Sequence, residues 1–155
     1  MNQASLEHVS GLFLGKLLGM GISRRVYEYR PSPENWVVKV QMSSASEEHD
    51  YQNIAEWTLW ENASSSLRPW LAPCIALSPG GGALLQARCE PCPLHLIPKK
   101  MPKVLGDLHQ ANFGIYEGKV VVHDYGRHFA YRFAANARAM RKVNLDEHTS
   151  LTPRS

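Results

Sequence analysis

Along the first half of the chain, apolar and polar positions change places at short intervals, which is strand patterning rather than that of long helices. Leu12 to Tyr29 reads as two strands joined by a glycine turn at Gly19 and Gly21. Arg30 to Asn35, with Pro31 and Pro33, is a turn by composition. Trp36 to Gln41 is a strand, and Lys39 interrupts its valines. A helix then starts near Ser43, with Ser44 and Glu47 spaced as a capping box, and runs to about Asn62. Tyr51, Ile54, Ala55 and Thr58 recur at helical spacing and form its expected apolar stripe. Ser64-Ser65-Ser66 ends it. Cys74 to Leu77 and Ala83 to Arg88 are strands of a hairpin turned by Pro79-Gly80-Gly81-Gly82.

The second half is less regular. Pro93 to Val104 carries Pro98 and Pro102, so no long helix fits there. Lys99, Lys100 and Lys103 make the interval basic; it reads as a solvated loop or as a contact for an anionic substrate. Lys119 to His123 is a strand. Phe129, Phe133, Ala137, Met140 and Asn144 fall three or four apart, which predicts a helix with one mostly apolar face. Arg132, Arg138, Arg141 and Lys142 fall elsewhere on that cylinder. Glu147 to Ser155 is polar and is expected to be disordered.

With 155 residues the chain has room for one domain of ordinary size. The expected organisation is a single domain over 1–146, its N-terminal part about 10–90 and its reduced C-terminal part about 91–146, followed by the tail 147–155. A net charge of +3 permits anionic partners without demanding them. The basic residues are dispersed and lack an aromatic platform, which argues against nucleic acid. No run approaches the roughly 18 apolar residues of a membrane span. Val9 to Ile22 is apolar but has no basic leader or cleavage site, so a cytoplasmic protein is expected. Cys74, Cys89 and Cys92 are an odd set, which fits reduced thiols. Cys89-Glu90-Pro91-Cys92 near His95 hints at zinc, but no second pair completes a ligand set.

The richest chemistry lies in Val104 to Gly126. Asp107 and Asn112 bracket a short loop, and Asp124 follows the Lys119–His123 strand and precedes Tyr125-Gly126. One acid can take a proton from an attacking hydroxyl while an amide and a second acid hold magnesium against a triphosphate. The residues by themselves also fit an Asx-rich turn. A lysine on an apolar strand needs a partner or an edge from which to reach water, so Lys39 is either paired or snorkelling. Glu56 is its nearest candidate partner, with Glu61 second; the alternative is that Glu56 is a surface acid.

Gly106-Asp107-Leu108-His109-x-x-Asn112 with Asp124-Tyr125-Gly126 resembles the catalytic loop and metal-binding turn of the protein-kinase-like superfamily. Its form is closest to the small-molecule branch that includes the aminoglycoside phosphotransferases. The resemblance extends upstream to Gly19 and Gly21 as a glycine-rich loop, Lys39 as the phosphate-binding lysine and Glu56 as the helix glutamate paired with it. It covers Leu17 to Gly126 with the elements in order, and it extends to small kinase-like proteins of bacteriophages. It implies an α+β chain: a minimal protein-kinase-like fold with an antiparallel N-terminal sheet, one helix and a much reduced C-terminal lobe. Adenine would lie near Ala87 to Glu90.

It further implies ATP and Mg2+ as ligands. Gly19, Gly21 and Lys39 would hold phosphates, Asn112 and Asp124 the metal, and Asp107 would act as the base. His109 would donate a hydrogen bond near the transferred group or order the loop. The third glycine of the fuller loop is missing, and Arg24 stands near its place. The expected function is phosphoryl transfer to a small-molecule or protein hydroxyl. The alternative is a catalytically silent kinase-like module that binds nucleotide or a partner protein as an inhibitor or scaffold.

Overall fold

The structure, a computed structural model, describes residues 11–42, 51–106, 108–127 and 133–145. The chain is α+β, with mostly antiparallel sheet and few helices. It divides into two compact units, Met1–Ile54 with Cys74–Arg88, and Ala55–Pro73 with Cys89–Ser155. Residues 55–73 thus group with the second half of the chain.

The first unit is a five-stranded antiparallel sheet. Its strands are β1 (Leu14–Met20), β2 (Arg24–Tyr29), β3 (Trp36–Gln41), β4 (Cys74–Leu77) and β5 (Ala83–Ala87), in the order β1-β2-β3-β5-β4. All five follow the expected alternation and turn signals closely. Gly80 and Gly81 take positive φ angles of 81° and 80° between β4 and β5. A Cβ on Gly81 would lie 2.5 Å from Ile54 Cγ1, so glycine there serves both the turn and the approach of the next element. Helix α1 (Gln52–Asn62) begins in this unit and continues into the second. The Ser44–Glu47 capping box lies outside the described residues.

α1 does not bury the face its apolar pattern predicts. Tyr51 is 62% exposed and Ile54 37%, whereas Asn53 and Glu56 are 0% and Leu59 is 1% exposed. The buried stripe is Asn53, Glu56, Leu59 and Ala63. Hydrogen bonding is the reason. The Asn53 side-chain amide donates to the carbonyls of Lys39 (2.9 Å) and Gly81 (3.0 Å), and its Oδ1 accepts from Arg24 Nη1 at 3.2 Å. A polar side chain with its bonds satisfied is buried at little cost. Arg24 is 5% exposed within this network, so it is neither solvated nor placed as a loop residue open to phosphate.

The second unit holds the rest of α1 and a three-stranded sheet, β6 (Glu90–Pro91), β8 (Phe113–Tyr116) and β9 (Lys119–Val122), in the order β6-β8-β9. Between β6 and β8 runs β7 (Lys100–Pro102), which pairs with β10 (Met140–Lys142). The β8–β9 turn places Glu117 at φ 48° and Gly118 at φ 78°, the left-handed pair of a tight hairpin. Leu67, Leu71, Met101, Leu105, Leu108, Phe113 and Val122 form the core at 0–2% exposure.

The C-terminal helix expected over 129–144 is not what the described part forms. Residues 133–139 form bends and irregular backbone rather than helix, Met140–Lys142 is a strand, and Phe129 and Arg132 lie outside the described residues. Prolines 98 and 102 keep the β7 segment extended, which leaves its backbone groups in need of a partner. β10 supplies one, in the register Met140↔Pro102, Arg141↔Met101 and Lys142↔Lys100. The tail 147–155 also lies outside the described residues.

Candidate functional site

Gly19, Gly21 and Lys39 belong to the first unit; Glu56, His109, Asn112 and Asp124 belong to the second. Asp107, the expected base, lies outside the described residues.

In the first unit, Lys39 sits on β3, the middle strand of five, and is 3% exposed. Its neighbours in register are Val26 on β2 and Leu84 on β5. That position excludes snorkelling from a sheet edge. An ammonium so deeply placed is retained only with compensating groups. Gly19 pairs with Val26 near the end of β1, and Gly21 N–H donates to Arg24 O at 2.8 Å, closing the turn. A Cβ on Gly19 would meet nothing within 4 Å. The fold therefore has no steric need for glycine at that position, and glycine inside a strand commonly marks the close approach of something else.

In the second unit, the β8–β9 hairpin does the positioning. Phe113 pairs with Val122, and His123 N–H donates to Asn112 O at 2.9 Å. Asn112 and Asp124 are thereby brought to the same end of the hairpin, on consecutive steps of the two strands. Asn112 is 2% exposed and Asp124 half-buried. His109, half-buried, opens the single 3-10 turn Gln110–Asn112, and its carbonyl accepts from Asn112 N–H at 3.0 Å.

Glu56 is not a surface acid. It is fully buried, and its Oε1 accepts from Tyr125 N–H at 3.1 Å. Tyr125 is 1% exposed and donates its hydroxyl to Ala72 O at 2.7 Å. The helix carboxylate and the Asp124-Tyr125-Gly126 turn are thus fixed to one another. Sequence reasoning missed Tyr125 and Asn53 as organising residues. The available signal was their spacing: Asn53 lies one helical turn before Glu56, and Tyr125 directly follows the acid of interest.

The donor set suits a hard cation. Asn112 and Asp124 offer an amide oxygen and a carboxylate, the ligands Mg2+ takes when phosphates and water complete its shell. Among the described residues no three His, Cys, Asp or Glu side chains group as a metal site. Cys92 is buried at 5% exposure, its Sγ donates to Pro93 O at 3.5 Å, and burial pushes its thiol above its ordinary pKa.

No protein-family model matches the chain, and no curated protein sequence matches it significantly. No helix among the described residues is long and apolar enough to cross a membrane.

Proposed function

We propose that the chain is an ATP- and Mg2+-dependent phosphotransferase with a minimal protein-kinase-like fold, acting on a hydroxyl of a small molecule or a protein. The observation that carries this reading is the hairpin register that sets Asn112 beside His123-Asp124. The buried Lys39 of the middle strand and the sterically unneeded Gly19 support it from the first unit. In this reading Lys39 and the Gly19–Gly21 turn bind phosphate oxygens, and Asn112 and Asp124 hold the metal, which neutralises charge shared among the phosphates. Asp107 orients the acceptor hydroxyl and takes its proton, and His109 hydrogen-bonds the transferred group. The reading places the protein in the cytoplasm, with ATP.

Thermal melting with and without Mg-ATP tests it. A ligand at a hundred times its Kd that binds only the folded state adds about 2.7 kcal/mol, a shift of several degrees. No shift at millimolar Mg-ATP overturns the reading. If the shift appears, Asp107→Ala should keep it and lose transfer of the γ-phosphate, while Asp124→Ala should lose most of the Mg2+-dependent part. One observation favours the silent-module alternative: Glu56 already has a structural task at Tyr125 N–H that needs no nucleotide. Mg-ATP binding with no transfer to any hydroxyl or to water would decide for it.

A further inference from the structure

Two basic segments that lie far apart in sequence meet in the β7–β10 ribbon of the second unit. Lys100 stands directly opposite Lys142. Lys99 is bonded to the next step, where Val143 N–H donates to its carbonyl at 2.9 Å. Lys103 N–H donates to Ala139 O at 2.8 Å, which brings Arg138 to the other end. Lys99, Lys100, Arg138 and Lys142 are exposed. Neither 91–106 nor 133–145 contains an Asp or Glu, and no described ion pair engages these four cations. Alternation assigns the two faces of the ribbon. Met101, 1% exposed, and its partner Arg141, which donates to Leu105 O at 2.6 Å, take the inner face; Lys100 and Lys142 take the other.

Like charges directly opposite in an antiparallel pair destabilise it. A ribbon with this arrangement, and no acid among its described residues, offers an anionic partner four cations to neutralise. We propose that the β7–β10 ribbon docks an acidic polypeptide segment. Three features favour an extended peptide. The ribbon is three residues long, about 10 Å, too small for the roughly 600 Å2 that even a single nucleic-acid module buries. Phe133 is already covered by Lys103 Nζ at 5.9 Å from the ring centre, so that ring is not an open stacking platform. Its outer edges carry no partner strand among the described residues, so backbone pairing can add to charge pairing.

Beyond β7 the chain passes through Lys103 to Leu105, two residues before Asp107 in sequence, and Arg141 donates to the Leu105 carbonyl. If the phosphotransferase reading stands, on which this clause alone rests, the acidic segment belongs to the acceptor. An aminoglycoside, being a polycation, would be repelled.

The test is fluorescence anisotropy of a labelled oligoglutamate peptide against the full chain at low salt. Binding is expected, with its loss at about 1 M salt, where the screening length is roughly 3 Å. The double variant Lys100→Glu/Lys142→Glu should weaken it at least about tenfold, and Lys99→Glu should weaken it less. All these positions are exposed, so the variants should melt like the parent. Absence of binding at low salt, unchanged binding in the double variant, or tighter binding of an oligothymidylate of equal charge would each overturn the proposal. The Mg-ATP melting shift is read on the same variant. Retained there with peptide binding lost, it separates failure of docking from failure of the nucleotide reading.

Discussion

Replacing Asn53 with alanine should destabilise the protein far more than any apolar substitution on the exposed side of α1. The side chain is fully buried and makes three bonds, to Lys39 O at 2.9 Å, to Gly81 O at 3.0 Å and from Arg24 Nη1 at 3.2 Å. Truncation leaves two carbonyls and one guanidinium N–H without these partners in a place water does not reach. A stranded buried polar group costs about 1–3 kcal/mol, more when charged. Allowing for relaxation, the sum is roughly 3–5 kcal/mol, a large share of a small protein's stability. Asn53→Asp should recover little, because its carboxylate can still accept from Arg24 but turns an anion toward two carbonyl oxygens. Tyr51→Ala, at a site 62% exposed, should stay within about 0.5 kcal/mol. Urea denaturation followed by circular dichroism gives both numbers, and the Asn53→Ala melting temperature should fall by roughly 10 °C. A larger loss for Tyr51→Ala than for Asn53→Ala would refute the assignment of the buried face.

Gly114→Ala should destabilise by about 1–3 kcal/mol, because its Cβ would lie 2.5 Å from Cys89 Cβ and 3.1 Å from His123 Cδ2; a melting curve checks it. Glu56→Gln keeps an oxygen to accept from Tyr125 N–H and should fold, whereas Glu56→Ala should lose about 1–3 kcal/mol, read by denaturation. Iodoacetamide at mildly alkaline pH should label Cys89 well before Cys92, because Cys92 is buried with its thiol pKa raised, while Cys89 is half-exposed; peptide mass spectrometry reports the order. Raised pKa values at Cys92, from burial, and at Tyr116, from burial and then the adjacent Glu117, mean that the folded chain holds protons the unfolded chain has released. Their contribution is intact below the groups' ordinary values and is lost as pH climbs past them, so melting temperature should decline in alkaline buffer.

How much could be read from the sequence depended on whether the signal was local. Trp36–Gln41 and Cys74–Leu77 were legible to the residue, and the Pro79–Gly82 turn with them, because alternation and the freedom of glycine at positive φ act within a few residues. The candidate residues Lys39, Asn112 and Asp124 were legible as chemistry, but their surroundings were not. Whether a lysine is buried or snorkels depends on which strands flank its own, and only the order β1-β2-β3-β5-β4 decided that. The buried face of α1 went against its apolar pattern, because the carbonyls of Lys39 and Gly81 and the amide of Tyr125 lie elsewhere in the chain and satisfy Asn53 and Glu56. The expected C-terminal helix failed for the same kind of reason. A spacing of three or four residues is a weak local preference, and the unpaired backbone of a proline-bound strand some forty positions upstream outweighed it. Local periodicity determined where this chain extends or turns; long-range hydrogen bonding decided which polar groups it buries, and with them the candidate site.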